Sequence, residues 1–290
     1  MKTTLSSASP AQLETDCLAV VALDRGSKDK PEVVVETSDP AVKQAAAQVI
    51  ASGETLGKSS EITLIHNPAE IKAKRLLLLG GGKAQAFNGF ELRRVAGTAV
   101  RALKSRGLRS FSFVVPTTGG TTQEAIKAVV EGAFVGNFEA DTYRSDRKDQ
   151  RIDSLTVLAA GDTGKLQAAL DEARIIGESQ NFTRELVNEP SNRMTPTMLA
   201  ERAKKMAQDV GLRCEVYGAG QGGGIDQVGT AKLAGVVQAV CEHEPPFGVG
   251  IDDLDCLARH GGLDVARLLG FARRHVFRGA NDAGDFDVGF

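Results

Sequence analysis

The chain is 290 residues long, 42% hydrophobic and 25% charged, a balance that suits one large or two ordinary globular domains and argues against disorder. Its net charge of −2 gives no electrostatic reason to expect nucleic acid or an anionic membrane as a partner, because either favours a basic surface. Four cysteines (Cys17, Cys214, Cys241, Cys256) are too sparse for a disulfide framework, the N-terminal run MKTTLSSASPAQLETD lacks a signal peptide's apolar core, and no apolar run approaches the roughly 20 residues that span a bilayer, so a cytoplasmic protein with reduced thiols is expected.

Taken in order, the chain first offers a buried strand at about 17 to 23, where CLAVVAL is too apolar to alternate and too short for a buried helix. A charged hairpin or loop, DRGSKDKPE, follows. Asp39 and Pro40 open a helix with Val42, Ala45, Ala46, Val49 and Ile50 inward and Gly53 past its end. Ile62 to Ile65 and Leu76 to Leu79 read as strands separated by a turn at Asn67-Pro68. The spacing of Leu92, Val95, Ala96, Ala99 and Leu103 predicts a helix stopped by Gly107. Phe111 to Val115 is a buried strand, Ile126 to Phe138 a helix, and Ser154 to Ala159 a strand. This alternation implies an α/β sheet with helices on its faces.

A long helix comes next. Leu166, Leu170, Ala173, Ile176, Phe182 and Leu186 share one face, with a slip near Gly177, and the helix should stop near Asn188 because Pro190 forces Glu189 out of the α region. A new helix begins at once: Thr195 caps, Pro196 takes the first helical position, Leu199, Ala203, Met206 and Val210 form the apolar face, and Gly211 ends it.

The run Asn181-Phe182-x-Arg184-x-Leu186-Val187-Asn188-Glu189-Pro190-Ser191-Asn192 followed by Met194-Thr195-Pro196-Thr197 resembles the leucyl aminopeptidases of the cytosolic, two-metal type. The layout from about residue 10 to about residue 217 is similar to that family's first half. The resemblance implies a macro-like α/β domain over residues 1–163, a connecting helix over 164–188, the start of an α/β catalytic domain over 189–217, and a divergent or frame-shifted tail over 218–290. It also implies metal-dependent removal of N-terminal amino acids from peptides, a pair of Mn²⁺ or Zn²⁺ ions that activate water and polarise the scissile carbonyl, and a homohexamer.

The tail departs from that pattern. It holds fifteen of the 32 glycines, three of the four histidines and a single lysine, Lys232. Either it has diverged or the reading frame shifts near Gly218, and the abrupt change favours the second. The family's Phe-Asp-x-Gly-Gly and Asn-Thr-Asp-Ala-Glu-Gly-Arg runs are absent, and Gly284-Asp285-Phe286-Asp287 is no substitute for the first. Catalytic, cofactor-binding and metal-binding residues are therefore assigned as none, and the chain is expected to be a truncated, inactive relative. The tail is also expected to pack poorly, being rich in glycine.

Other features carry weaker signals. Gly80-Gly81-Gly82-Lys83, with Thr117-Thr118-Gly119-Gly120, sits where phosphate-cradling loops occur, but Leu77 and Ala84 stand where a P-loop needs Gly and Ser or Thr, so a tight strand-to-helix turn is the better reading. As a binding module, the α/β domain would use those two loops for a nucleotide-like ligand or a protein partner. Cys241, His243, Cys256 and His260 have soft-ligand chemistry without a known zinc spacing, and the tail aspartates read as solvated. His66 reads as an ordinary loop histidine, and Arg184 and Glu185 as charged contacts between domains.

Overall fold

The computed structural model describes residues 1–27, 32–140, 143–146, 148–214 and 216. Their strands are β1 (Lys2–Ser6), β2 (Leu18–Asp24), β3 (Val33–Val35), β4 (Ile62–His66), β5 (Arg75–Lys83), β6 (Ser110–Val114) and β7 (Ser154–Leu158). The helices are α1 (Pro40–Ala51), α2 (Gly89–Lys104), α3 (Thr122–Asn137), α4 (Thr163–Asn188) and α5 (Pro196–Asp209). All seven strands join one mixed sheet in the order β1-β7-β6-β2-β5-β4, with β3 pairing β2. The first five in that order are mutually parallel, while β4 runs antiparallel to β5 and β3 to β2. The protein is therefore α/β, as its alternating pattern implied.

Apolar continuity explains which strands are central. Leu18 to Leu23 are all fully buried, as are Leu76 and Leu77 of β5 and Phe113 of β6, because helices cover both faces of a parallel sheet. Alternate residues of β2 then serve different cores. Ala19, Val21 and Leu23 join α2, α3 and the start of α4 on one face, whereas Leu18 and Val20 meet Val42 and Ala46 of α1 on the other. The expected burial of the strands at 17–23, 76–79 and 111–115 holds.

Two strands escaped the sequence reading. β1 is a half-exposed edge with threonines at two of its five positions, so it lacks the apolar run that marked the others. β3 is only three residues long, although three successive β-branched residues favour extended backbone. α1 also presents a narrower face than its spacing promised, with Val42 and Ala46 buried and Ala45, Val49 and Ile50 only partly so. α3 starts at Thr122 rather than Ile126, since Thr121 and Glu124 form a reciprocal capping box.

The chain divides into two compact units, Met1–Asn181 and a second from Phe182 onward. Within the first unit, the slip in the apolar face of α4 has a steric cause. A side chain at Gly177 would lie 2.7 Å from Cβ and Cγ of Phe134, so the phenylalanine of α3 fills the place an apolar residue would otherwise take. Asn181 Nδ2 then donates to the carbonyl of Phe134 at 2.9 Å.

Within the second unit, the turn forms as its residues require. Arg193 N–H donates to Pro190 O at 2.8 Å, Thr195 Oγ1 accepts from Met198 N–H at 3.3 Å, and Pro196 opens α5. Arg202 reaches Glu189 Oε1 at 3.4 Å across the turn, and Gly211 leaves the helix with φ of +75°. After α5 the described residues 212–214 and 216 lie in no helix or strand. The readings on Cys241, His243, Cys256, His260, the tail aspartates and the packing of 218–290 lie outside the described residues.

Candidate functional site

In open parallel sheets, ligands bind beyond the carboxyl ends of the strands. Here the ends of β2, β5 and β6 bring together Asp24, Lys83 and the loop from Val115 to Thr121, with Arg25 and Glu36 from the connection through β3. The two loops weighed in the sequence for a ligand, at Gly80–Lys83 and Thr117–Gly120, both lie at this edge.

The glycines of the first loop do not form a cradle. Gly80, Gly81 and Gly82 lie inside β5, which continues to Lys83 before a short 3₁₀ turn at Ala84–Ala86, so the expected strand-to-helix turn falls later than the glycines. A Cβ on Gly80 would stand 1.9 Å from the carbonyl oxygen of Lys58, and one on Gly81 would meet Leu23 Cδ2 at 2.6 Å and the Phe87 ring at 2.7 Å. The backbone N–H of Gly80 donates to Glu61 O and that of Gly82 to Gly57 O, both at 2.8 Å. Glycine is needed here so that the segment 57–61 and Phe87 can lie against the strand, and two of the amides an anion would need are already bonded.

Lys83 is likewise engaged. Its ammonium pairs with Asp24 Oδ2 at 2.6 Å and donates to the carbonyls of Gly26 at 3.0 Å and Ser27 at 3.3 Å. Asp24 Oδ1 accepts from the N–H of Gly26 at 2.8 Å and of Glu32 at 3.1 Å. The bond from Lys83 is the largest influence and lowers the Asp24 carboxyl; burial opposes it next, and the two amides help to leave the pKa below the usual range.

The second loop closes on a buried carboxylate that the sequence reading missed. Glu36 is 4% exposed, accepts from Arg25 Nη2 on Oε1 at 2.9 Å, and accepts from Thr118 Oγ1 on Oε2 at 2.7 Å. Gly119 and Gly120 take φ of +98° and +143°, and an added Cβ on Gly119 would lie 3.0 Å from the Phe87 ring. Glu36 follows three valines and precedes the Asp39 cap, so a buried acid at the end of β3 is readable only once β3 itself is recognised. Among the described residues named here, the edge sets Asp24 against Lys83 and Glu36 against Arg25, each pair satisfied internally. A phosphate or other anion placed here would face the Asp24 and Glu36 carboxylates and would have to displace existing bonds.

The remaining site candidates are dispersed. His66 ends β4 and is exposed, and Cys17 is buried, its thiol pushed up to about 12 by desolvation. Arg184 is part-buried, which lowers its pKa. Among the described residues no group of three His, Cys, Asp or Glu side chains could hold a metal ion. Nor, among them, is any helix long and apolar enough to cross a membrane.

A mixed seven-stranded sheet in this order, with helices packed on both faces, defines an α/β domain. Comparison with known proteins gives it relatives. Residues 20–147 match the model of the cytosol aminopeptidase family, N-terminal domain. A probable cytosol aminopeptidase of Koribacter versatilis (strain Ellin345) is 49% identical over 235 residues, covering 75% of this chain and 46% of the relative. One from Acidobacterium capsulatum is 45% identical over 228 residues, covering 75% and 45% respectively. The chain spans about half the length of the curated relatives it matches. Among solved structures, a tomato leucine aminopeptidase mutant superposes with a TM-score of 0.62 at 23% identity, over 76% of this chain and 45% of that one. The bottromycin maturation enzyme BotP, in complex with Mn, gives 0.54 at 23% identity, over 71% and 39%. At these identities the structural likeness bears on the fold alone.

Proposed function

We propose that this chain supplies the scaffold half of a metal-dependent aminopeptidase acting on peptides, and that residues 1–217 hold none of the chemistry. The observation that carries this reading is the 49% identity to a probable cytosol aminopeptidase, together with a carboxyl edge whose charges are consumed internally. The domain limits follow the resemblance: an N-terminal α/β domain over 1–163, a connecting helix over 164–188, the opening of a catalytic domain over 189–217, and a divergent or frame-shifted tail over 218–290. Mn²⁺ or Zn²⁺ is the metal class proposed for the reaction, where it would activate water and polarise the scissile carbonyl. No residue of this chain is assigned as its ligand, because the sequence contains neither ligand run of the family.

The same reading makes the 290-residue chain inactive by itself. Hydrolysis of leucine p-nitroanilide with added Mn²⁺ or Zn²⁺ tests it against a chelator-treated control, and release at background is expected. Metal-dependent turnover that copurifies with the chain would overturn this reading and place ligands among the tail residues. The Cys241→Ala variant would then show whether the tail thiol takes part.

A further inference from the structure

The chain contains one Asn-Gly pair, Asn88-Gly89, and the fold sets it at the start of α2. Asn88 is exposed and caps the helix: its Oδ1 accepts from Phe90 N–H at 2.9 Å and from Glu91 N–H at 3.2 Å, while Nδ2 donates to Ala86 O at 3.3 Å. Gly89 takes the first helical position, where an N–H has no intrahelical acceptor, and no other bond among the described residues engages it. A Cβ on Gly89 would meet nothing within 4 Å, so packing does not require glycine there. An unbonded amide nitrogen thus stands next in the chain to a carboxamide whose oxygen is already held by two donors.

These are the parts of an intramolecular acyl transfer. Once its N–H proton has passed to hydroxide, Gly89 N can attack Asn88 Cγ, and the negative charge that develops on Oδ1 faces the Phe90 and Glu91 amides, as in an oxyanion hole. The positive end of the α2 dipole favours loss of that proton. The N–Cγ bond forms, the Cγ–Nδ2 bond breaks, and Nδ2 leaves as ammonia with a proton from water, which regenerates the hydroxide and leaves a cyclic imide. Water then opens the ring at Cγ to give aspartate, or at the backbone carbonyl to give isoaspartate, in which the chain runs through the side chain. Ring closure turns the peptide between residues 88 and 89, and the backbone bond it strains is the first of α2, Leu92 N–H to Asn88 O at 2.9 Å.

We propose that Asn88 is a self-modification site, at which the folded chain converts its own helix cap to aspartate and isoaspartate. The remaining asparagines lack this arrangement. Asn67 precedes Pro68, which has no N–H to lose. Asn137, Asn181 and Asn188 precede larger residues and donate from Nδ2 to the carbonyls of Ile152, Phe134 and Arg184 at 2.9, 2.9 and 2.6 Å. Asn192 and Asn281 are followed by Arg193 and Asp282. The two products differ in effect. Aspartate is as good a cap as asparagine, and the helix dipole favours its charge. Isoaspartate puts an extra carbon into the backbone directly after Phe87, whose ring fills the space beside Gly81 and Gly119, so it removes the cap and loosens that seal.

Ageing the full chain in mildly alkaline buffer, native and in urea, tests this by peptide mass spectrometry and isoaspartate-specific enzymatic methylation. In the native chain, conversion at Asn88 is expected ahead of every other asparagine. Gly89→Ala should slow it several-fold because the added methyl hinders the nitrogen, while alanine suits the helix and leaves the fold intact. Native chain aged to a majority of isoaspartate should melt below fresh chain, whereas Asn88→Asp should melt with it. An Asn88 that stays intact in the native chain, whether or not it converts in urea, would overturn the proposal. So would another asparagine that converts first, a rate unchanged in Gly89→Ala, or isoaspartate-rich chain that melts with the fresh one.

Discussion

Two parts of this domain are built on glycine, and they use it against different neighbours. Where α2 crosses α3, a Cβ on Gly132 would stand 2.1 Å from the carbonyl oxygen of Arg93, and one on Gly136 would stand 2.7 Å from that of Gly97. At the carboxyl edge, Gly80 makes room for the carbonyl of Lys58, and Gly81 for the Phe87 ring and the end of Leu23. In both places the missing side chain admits protein. The seam is apolar along most of its length, with Arg93 and Glu131 paired at its margin at 2.9 Å, whereas the edge is rimmed by ion pairs. A glycine run at a strand end therefore signals a ligand loop only when the space above it is empty, and here it is filled.

The largest effects should come from glycines that face backbone, because a carbonyl held in a helix, as for Arg93, or in a hydrogen-bonded turn, as for Lys58, cannot easily move aside. Gly132→Ala and Gly80→Ala should each lower stability by about 3 kcal/mol, at the upper end for overpacking, measured by urea unfolding. If Gly80→Ala were neutral while Gly132→Ala was not, the edge would be the looser of the two regions and open to a ligand after all. Gly81→Ala should cost less, about 1–2 kcal/mol, since a ring and a methyl end can give way.

Next in size is the tether on the other face of the sheet. Asp39 caps α1 through Ala41 N–H at 3.0 Å, and its Oδ2 accepts from Ser9 Oγ at 2.7 Å and Ala11 N–H at 3.0 Å. Asp39→Ala should cost about 1–2 kcal/mol, as for other lost N-caps. Burial alone would raise this carboxyl's pKa, but the bonds from Ser9, Ala11, Ala41 and Val42 outweigh it and leave the pKa lowered. The stabilisation is thus fully present above the ordinary aspartate value of 3.8 and is lost as pH falls through the lowered folded value. Thermal melts on the acid side of pH 4 should show the wild type approaching Asp39→Ala, and a difference that persisted unchanged into strong acid would contradict this.

The smallest effect is expected at Lys83. Lys83 itself is half exposed and open to screening, so Lys83→Met should shift the melting temperature little, and less still in high salt. A large loss would mean that the pair holds Gly26, Ser27 and Glu32 in place.

Much of the fold was legible because burial on two faces leaves an apolar run, and β2, β5 and β6 each carry one. Helix ends were legible where a cap chemistry is specific, at Asp39-Pro40 and Thr195-Pro196. Elements lacking either signal stayed hidden. β1 is a half-exposed edge of lysine, threonine and serine around Leu5, and β3 is too short to show a period. Gly80 to Lys83 read as a tight strand-to-helix turn because Leu77 and Ala84 break the P-loop spacing, and only the tertiary structure reveals that β5 runs on through the glycines with Lys58 and Phe87 occupying the space beside them. Glu36, whose burial binds Arg25 and Thr118 together, gave no sequence signal because its partners lie 11 positions before it and 82 positions after it.

The central claim is that the carboxyl edge of the sheet is closed by its own ion pairs and serves as scaffold. Titration of the full chain with ADP-ribose, followed through the backbone amide resonances of Gly80 to Lys83 and Thr117 to Gly120, tests this directly. The internal pairing predicts no saturable shift at any of these amides. Saturable shifts confined to the two loops, lost in Lys83→Met, would contradict it and make this edge a ligand site.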